Sequence, residues 1–258
     1  MFNLGASYYN GEGGVDDSVL AYAWFLLAQE AGNPAAQDAV GRSETELNEL
    51  SKAEALLRIG DMYEKGEHLP QSYPNAARWY RKGADKNPEA AMRLAIFLIN
   101  GVGGLKQDYA EALALCSNLA KRRSGWGEYC VGYLHQHGLG VPSNLGEAAK
   151  WYGDAALDGS GKAALVLADM HLNGEGVPID RPQAYWLLFL AYRNGVPEAK
   201  SQAHALRADM NAEEISDLDK KLRRYHLDPT KVYAILDDPN PPDPSRTRQV
   251  FPLVIRPN

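Results

Sequence analysis

Val131-Gly132-Tyr133-Leu134-His135-Gln136-His137-Gly138, followed by Ala148-Ala149-Lys150-Trp151-Tyr152, is the stretch whose reading decides the fold, because its two halves recur along the chain. The first half returns as Leu4 to Gly11 (LGASYYNG), Ile59 to Gly66 (IGDMYEKG), Leu94 to Gly101 (LAIFLING) and Leu167 to Gly174 (LADMHLNG). From Gly66 onward the closing glycines are spaced by 35, 37 and 36 residues. The second half returns at Ala21 with Trp24-Phe25, Ala76 with Trp79-Tyr80, Ala112 with Leu115-Cys116 and Ala184 with Leu187-Leu188. A fixed period of this length is the signature of a repeat architecture.

The unit has a physical logic. An apolar residue, a small neighbour and a ring or equivalent further along form one face of a helix. The small residue lets a second helix approach closely. Gly11, Gly66, Gly101, Gly138 and Gly174 are then helix ends, because glycine enters the left-handed cap conformation without a Cβ penalty. A short turn leads to Asp108, Asn144 or Asp180, each with Glu or Gln three residues on (Glu111, Glu147, Gln183), which is the pattern of a capping box. Neither helix buries its apolar face alone, so consecutive pairs must stack. The expected fold is all-α: an α-solenoid of antiparallel helix pairs over residues 2–224, without strands.

One gap breaks the period. Gly11 and Gly66 are 55 residues apart, about 19 more than one repeat. Ser43-Glu44-Thr45-Glu46 reads as a capping box opening an additional helix, with Leu47, Leu50, Ala53, Leu56 and Leu57 at helical spacing. This predicts a first repeat over 1–42, an internal capping helix over 43–53 and repeats two to five over 54–199. A continuous or gently bent helix is expected from Ser43 to Lys65. Asn211-Ala212-Glu213-Glu214 marks a similar element, placed within a C-terminal capping helix over 200–224. From Tyr225 the helical pattern fails, and six prolines between 237 and 258 predict an extended tail over 225–258. Within it, Val250 to Ile255 is apolar enough to dock on a helical surface. The opening Phe2-Asn3-Leu4-Gly5 looks like the middle of a helix, so a mature form or a fragment is expected.

These motifs resemble the Sel-one-like repeat, a subfamily of tetratricopeptide-type helical repeats. The likeness covers residues 2–199 with one interruption and is fullest at Leu139-Gly140-Val141 with Ala148 to Ala156, and at Gly174-Glu175-Gly176-Val177. His135 and His171 at the ring position, and Leu115 and Leu187 in place of Trp, depart from the pattern. The resemblance implies a right-handed, curved solenoid serving as an interaction scaffold, often in bacterial envelope, secretion, polysaccharide or signalling contexts, with no shared active site. In that class the first helix of each pair lines the concave surface, which would set Trp126, Tyr129, Tyr133 and His137 in one row. Exposed rings there would anchor a peptide; the alternative is that they only pack neighbouring helices. Some disulfide-rich members bridge such hairpins with cysteines nearer the turn, at positions matching Ala120 and Glu128. Cys116 instead takes a buried aromatic slot and Cys130 is expected off that face, so the two are expected unbridged, more than about 7 Å apart.

Composition narrows the function classes. The chain has 258 residues, 45% hydrophobic and 23% charged, with a net charge of -6, which places it among globular rather than disordered sequences. That acidity gives no reason to expect nucleic acid, which needs a clustered positive surface. The basic runs Lys121-Arg122-Arg123 and Lys220 to Arg224 each close a helical stretch, where cations favour the helix dipole. No run of eighteen apolar residues exists to span a membrane, and no signal peptide opens the chain. The default compartment is cytoplasmic; periplasmic or secreted follows if an upstream signal peptide was removed. The glycine pairs follow helices instead of preceding them, so they are not phosphate loops. His135 and His137 are two apart and share no helix face, and no metal set or cofactor site is expected. Two further classes remain beside a non-catalytic scaffold binding a protein or peptide: an envelope-located regulator of a signalling or polysaccharide pathway, and a hydrolase or cell-wall-acting enzyme on this fold.

Overall fold

The computed structural model describes residues 1–12 and 17–238, and among these every regular element is a helix, with no strand. Its contacts divide it into two compact units, Met1–Leu115 and Cys116 onward. The expectation for Val250 to Ile255 lies outside the described residues.

The first unit runs through α1 (Phe2–Tyr9), α2 (Ser18–Glu30), α3 (Pro34–Glu46), α4 (Glu49–Lys65), α5 (Tyr73–Gly83), α6 (Pro88–Asn100) and the start of α7 (Tyr109–Lys121). Hairpin partners α1 with α2 and α4 with α5 pack closely, and glycine is the reason. A Cβ on Gly60 would stand 2.3 Å from the Tyr80 ring, and one on Gly5 2.8 Å from the Phe25 ring. The rings of the second half-motif therefore lie against the glycine of the first. Trp24, Phe25, Ile59 and Trp79 share one buried cluster, while Tyr80, Leu94 and Phe97 share the next. Gly66, Gly101, Gly138 and Gly174 adopt the left-handed conformation as helix C-caps. Gly11 has positive φ one residue beyond the Asn10 cap.

The junction differs from the sequence expectation. Ser43 starts no helix: it is buried inside α3, and the chain breaks at Leu47 and Asn48, both extended. The proposed internal capping helix over 43–53 is thus the end of one helix and the start of another. The signals that decide it are Asn33-Pro34 and Asn48. Asn33 accepts from the Ala35 N–H with Pro34 in the first turn, and Asn48 accepts from the Ser51 N–H. An Asn cap followed by proline is a stronger start than Ser43, because proline has no N–H to leave unsatisfied.

The second unit contains the end of α7, then α8 (Gly125–His137), α9 (Leu145–Leu157), α10 (Gly161–Asn173), α11 (Arg181–Arg193), α12 (Ala199–Ala208), α13 (Ala212–Arg224) and α14 (Pro229–Asp237). Helix α11 is buried without a break from Ala184 to Arg193, which explains why the longest apolar run falls there. Asp108, Asn144 and Asp180 each accept from the backbone N–H three residues on. The reciprocal bond that completes a capping box forms at Asn211 with Glu214. At the earlier sites the third residue turns elsewhere: Glu111 to Arg81, Glu147 to Lys150, and Gln183 to Lys221.

Two C-terminal expectations are corrected. Residues 200–224 hold two helices, with a turn before Asn211, instead of a single capping helix. The chain after Tyr225 is not extended throughout: Asp228-Pro229 opens α14, which buries Val232 and Leu236 one turn apart. Tyr233 on α14 packs edge-on against Tyr185 and donates to Asp219, and Asp237 pairs with Arg207.

Candidate binding site on the first-helix face of the second unit

Helix α8 carries the predicted row. Ser124 caps its start by accepting from the Gly127 N–H, and Gly138 closes it. Spacings of three and four put Trp126, Tyr129, Tyr133 and His137 on one face. The structure brings Tyr129, Tyr133 and His137 together at a recess of about 290 Å³, with Gln136, Tyr152, Val166, Asp169, Met170 and Glu175 completing its lining. Trp126 is half-buried and stands outside that lining.

Gly132 shapes the recess. Its missing Cβ, which would meet the Tyr152 ring at 2.9 Å, lets that ring press against α8. Tyr152 packs at 5.5 Å from Tyr129, and its hydroxyl donates to Gln136 Oε1 at 2.7 Å. Tyr133 and His137 stand 4.3 Å apart, centroid to centroid. Burial raises the Tyr152 phenol, and burial with the neighbouring Tyr133 raises Tyr129, so both rings stay neutral. Shielding from solvent, then the charge of Glu175, lifts the Asp169 carboxyl above its usual value.

Sequence reasoning missed the residues contributed by other helices, yet the repeat alignment holds one signal. Asp169 occupies in its repeat the slot that Tyr133 occupies in the preceding one, so stacking consecutive first helices sets the two against one groove. Tyr152 is the second ring of the Trp-Tyr motif. Of the two ring-position histidines, His171 Nδ1 lies 3.1 Å from the Pro178 carbonyl oxygen, while His135 Nδ1 is buried without a partner.

The cysteines overturn the expectation made for them. Cys116 and Cys130 are both buried and form a disulfide, their Cα atoms 5.8 Å apart. Gly127 is the reason. A Cβ there would lie 2.6 Å from the Ala120 backbone nitrogen, so α8 approaches α7 almost backbone to backbone. At that separation, cysteines four and two residues farther from the hairpin than the resemblance suggested still fall within bridging distance.

Behind the row, Glu128 is 4% exposed with Oε2 unpaired. Burial, then the charges of Asp158 and Asp154 and a hydrogen bond to Asp158, push its pKa up to about 7, against the opposing pull of Arg123. Arg123 holds Asp158 at 2.7 Å. This carboxyl sits inside the hairpin packing. No group of three or more metal-ligating side chains occurs among the described residues.

The stacked helix pairs define a helical-repeat protein of the α-solenoid class. Sel1 repeats match residues 1–33, 53–87, 88–122, 127–160 and 161–196, more than half of the sequence, and the chain belongs to the Sel1 repeat family. The unmatched stretch between the first two repeats coincides with α3 and the start of α4. A Sel1 repeat protein from Oxalobacter formigenes is similar at 26% identity with a TM-score of 0.57, over 77% of this chain and 72% of that one. A protective antigen of uropathogenic Escherichia coli displaying an SLR fold is similar in fold, with 22% identity, a TM-score of 0.56, and 90% of this chain and 56% of that one covered. Among curated relatives, the chitin synthase regulator SKT5 of Malassezia restricta is 32% identical over 45% of this chain, and chitin synthase regulatory factor 3 of Schizosaccharomyces pombe 30% identical over 48%. The matches span only 8% and 14% of those two relatives' lengths. No helix among the described residues is long and apolar enough to cross a membrane.

Proposed function

We propose that the chain is a non-catalytic interaction scaffold that holds a peptide or protein segment in the recess between α8 and α10. The observation that carries the reading is the pair Tyr129 and Tyr133: half-buried rings at an open recess whose hydroxyls have no hydrogen-bond partner among the described residues. Packing rings are buried or bonded; rings that line a recess and keep free hydroxyls offer contact area and polar anchors to a partner. The strongly shifted acid Glu128 is enclosed in the helix hairpin, which fits a structural role better than a catalytic one. Selection of a displayed peptide library on the intact protein tests the reading. Selected peptides should bind a Tyr129→Ala, Tyr133→Ala double variant at least about tenfold more weakly at a temperature where its helical content matches the parent's. Equal affinity for both proteins overturns it.

A regulatory setting is the second reading, favoured by the two relatives named as chitin synthase regulators. On this reading the scaffold modulates a polysaccharide-synthesising partner. The buried disulfide favours maturation in an oxidising compartment in preference to the cytoplasm. Thiol labelling of freshly isolated, unfolded protein without reductant tests that placement: no free thiol supports it, and two free thiols refute it.

A further inference from the structure

We propose that the α8–α10 recess takes an arginine or lysine side chain of a peptide segment, its cationic head between the tyrosine rings and the carboxylates of Asp169 and Glu175. The proposal rests on this recess being the binding site and goes beyond that by specifying the ligand's charge.

Three tyrosine rings and two carboxylates line one small space, and none of the nine lining residues is lysine or arginine. Neither Asp169 nor Glu175 has an ion-pair or side-chain hydrogen-bond partner among the described residues, and each raises the local negative potential felt by the other. By contrast, the larger charged recess near the N-termini of α11 and α13, about 580 Å³, is internally neutralised. There Arg181 pairs with Asp209 and Glu214, and Lys221 pairs with Asp180. The α8–α10 recess is therefore a place where charge is left over, on two solvent-exposed carboxylates faced by aromatic rings.

That combination selects a cation. A guanidinium or ammonium over a tyrosine face is attracted by the ring quadrupole, and adjacent carboxylates add charge-assisted hydrogen bonds. An acidic segment would meet repulsion at the same place, which is how a binding surface rejects wrong partners. The protein's net charge of -6 steers basic segments in the same sense. Val166 and Met170 give the alkyl stem of the side chain an apolar contact.

The test uses the full chain carrying 3-fluorotyrosine, with the Tyr129 and Tyr133 signals assigned by Tyr→Phe substitution. It is titrated with acetyl-Gly-Ala-Arg-Ala-Gly-amide and with the same peptide holding citrulline or glutamate at the centre. The arginine peptide should move both signals at a concentration about tenfold below that needed for citrulline, the glutamate peptide should bind weakest, and 0.5 M salt should erase most of the difference. An Asp169→Asn, Glu175→Gln variant should bind the arginine and citrulline peptides alike. Equal binding of all three peptides, or an arginine preference that survives in the double variant, overturns the charge assignment while the recess stands as a binding site. If no peptide moves the two signals, the assignment is overturned, and the reading of the recess falls separately if the library-selected peptides bind the double alanine variant as well as the parent.

Discussion

Replacing Glu128 by Gln should change how stability depends on pH, and the size follows from the structure. Glu128 is 4% exposed, hydrogen-bonded to Asp158 and facing Asp154, so its carboxyl keeps its proton up to about pH 7 against a usual value of 4.5. The folded state then holds a proton that the unfolded chain has released over that interval. For an acid whose folded pKa is raised, stability is full below the unfolded pKa and declines as pH rises, until both states are ionised above the folded one. At about 1.4 kcal/mol per pH unit, going from pH 5 to pH 8 should cost the parent roughly 2–3 kcal/mol through this group alone. That corresponds to a fall of roughly 4–12 °C in melting temperature for a domain of this size. Gln has nearly the shape of the protonated acid, donates to Asp158 in the same way and does not titrate. The variant should therefore match the parent within about 1 kcal/mol at pH 5 and exceed it by roughly 2–3 kcal/mol at pH 8. Thermal and urea unfolding of both proteins at the two pH values measures the double difference. Parallel behaviour of the two proteins across this range would refute the placement of a protonated carboxyl in the hairpin.

Two substitutions test the packing logic. Gly60→Ala places a Cβ 2.3 Å from the buried Tyr80 ring, whose hydroxyl is held by Asp61 and Glu64, and should destabilise by about 1–3 kcal/mol in urea unfolding. Gly153→Ala on α9, where the nearest side-chain atom is 3.7 Å away, should be neutral or stabilising by about 0.5–1 kcal/mol. Replacing Cys116 and Cys130 by Ser opens a loop with a sequence separation of 14 and should cost roughly 2–4 kcal/mol, seen as a lower melting temperature that reductant no longer changes.

The periodic elements were legible because they rest on local chemistry. Glycine at a left-handed cap, a small residue opposite a ring and Asp or Asn at a helix start each act within one or two turns, and the same solution repeats. The Sel1 repeat assignment and the helical solenoid class follow from that periodicity. The α3–α4 break was also written locally, in Asn33-Pro34 and Asn48, and was missed because the Ser43 pattern competed with it. Burial decided between them: Ser43 lies inside α3 against the first unit's core. Helix α14 was hidden for a related reason, since a nine-residue helix with two buried anchors is stabilised by what it packs on more than by its own propensity.

What no reading along the chain reaches is distance between elements. Cys130 meets Cys116 because Gly127 removes the side chain that would hold α8 away from α7, a separation set by two helices at once. The recess has the same origin. The row Tyr129, Tyr133 and His137 is a property of one helix and could be read from spacing. The exclusion of Trp126 from the recess, the entry of Tyr152 past Gly132 and the unneutralised Asp169 and Glu175 on the far wall arise only once α8, α9 and α10 are stacked. Periodicity determines which faces meet; interhelical approach, fixed by the smallest residues at each contact, determines which side chains meet across them and what charge is left unpaired.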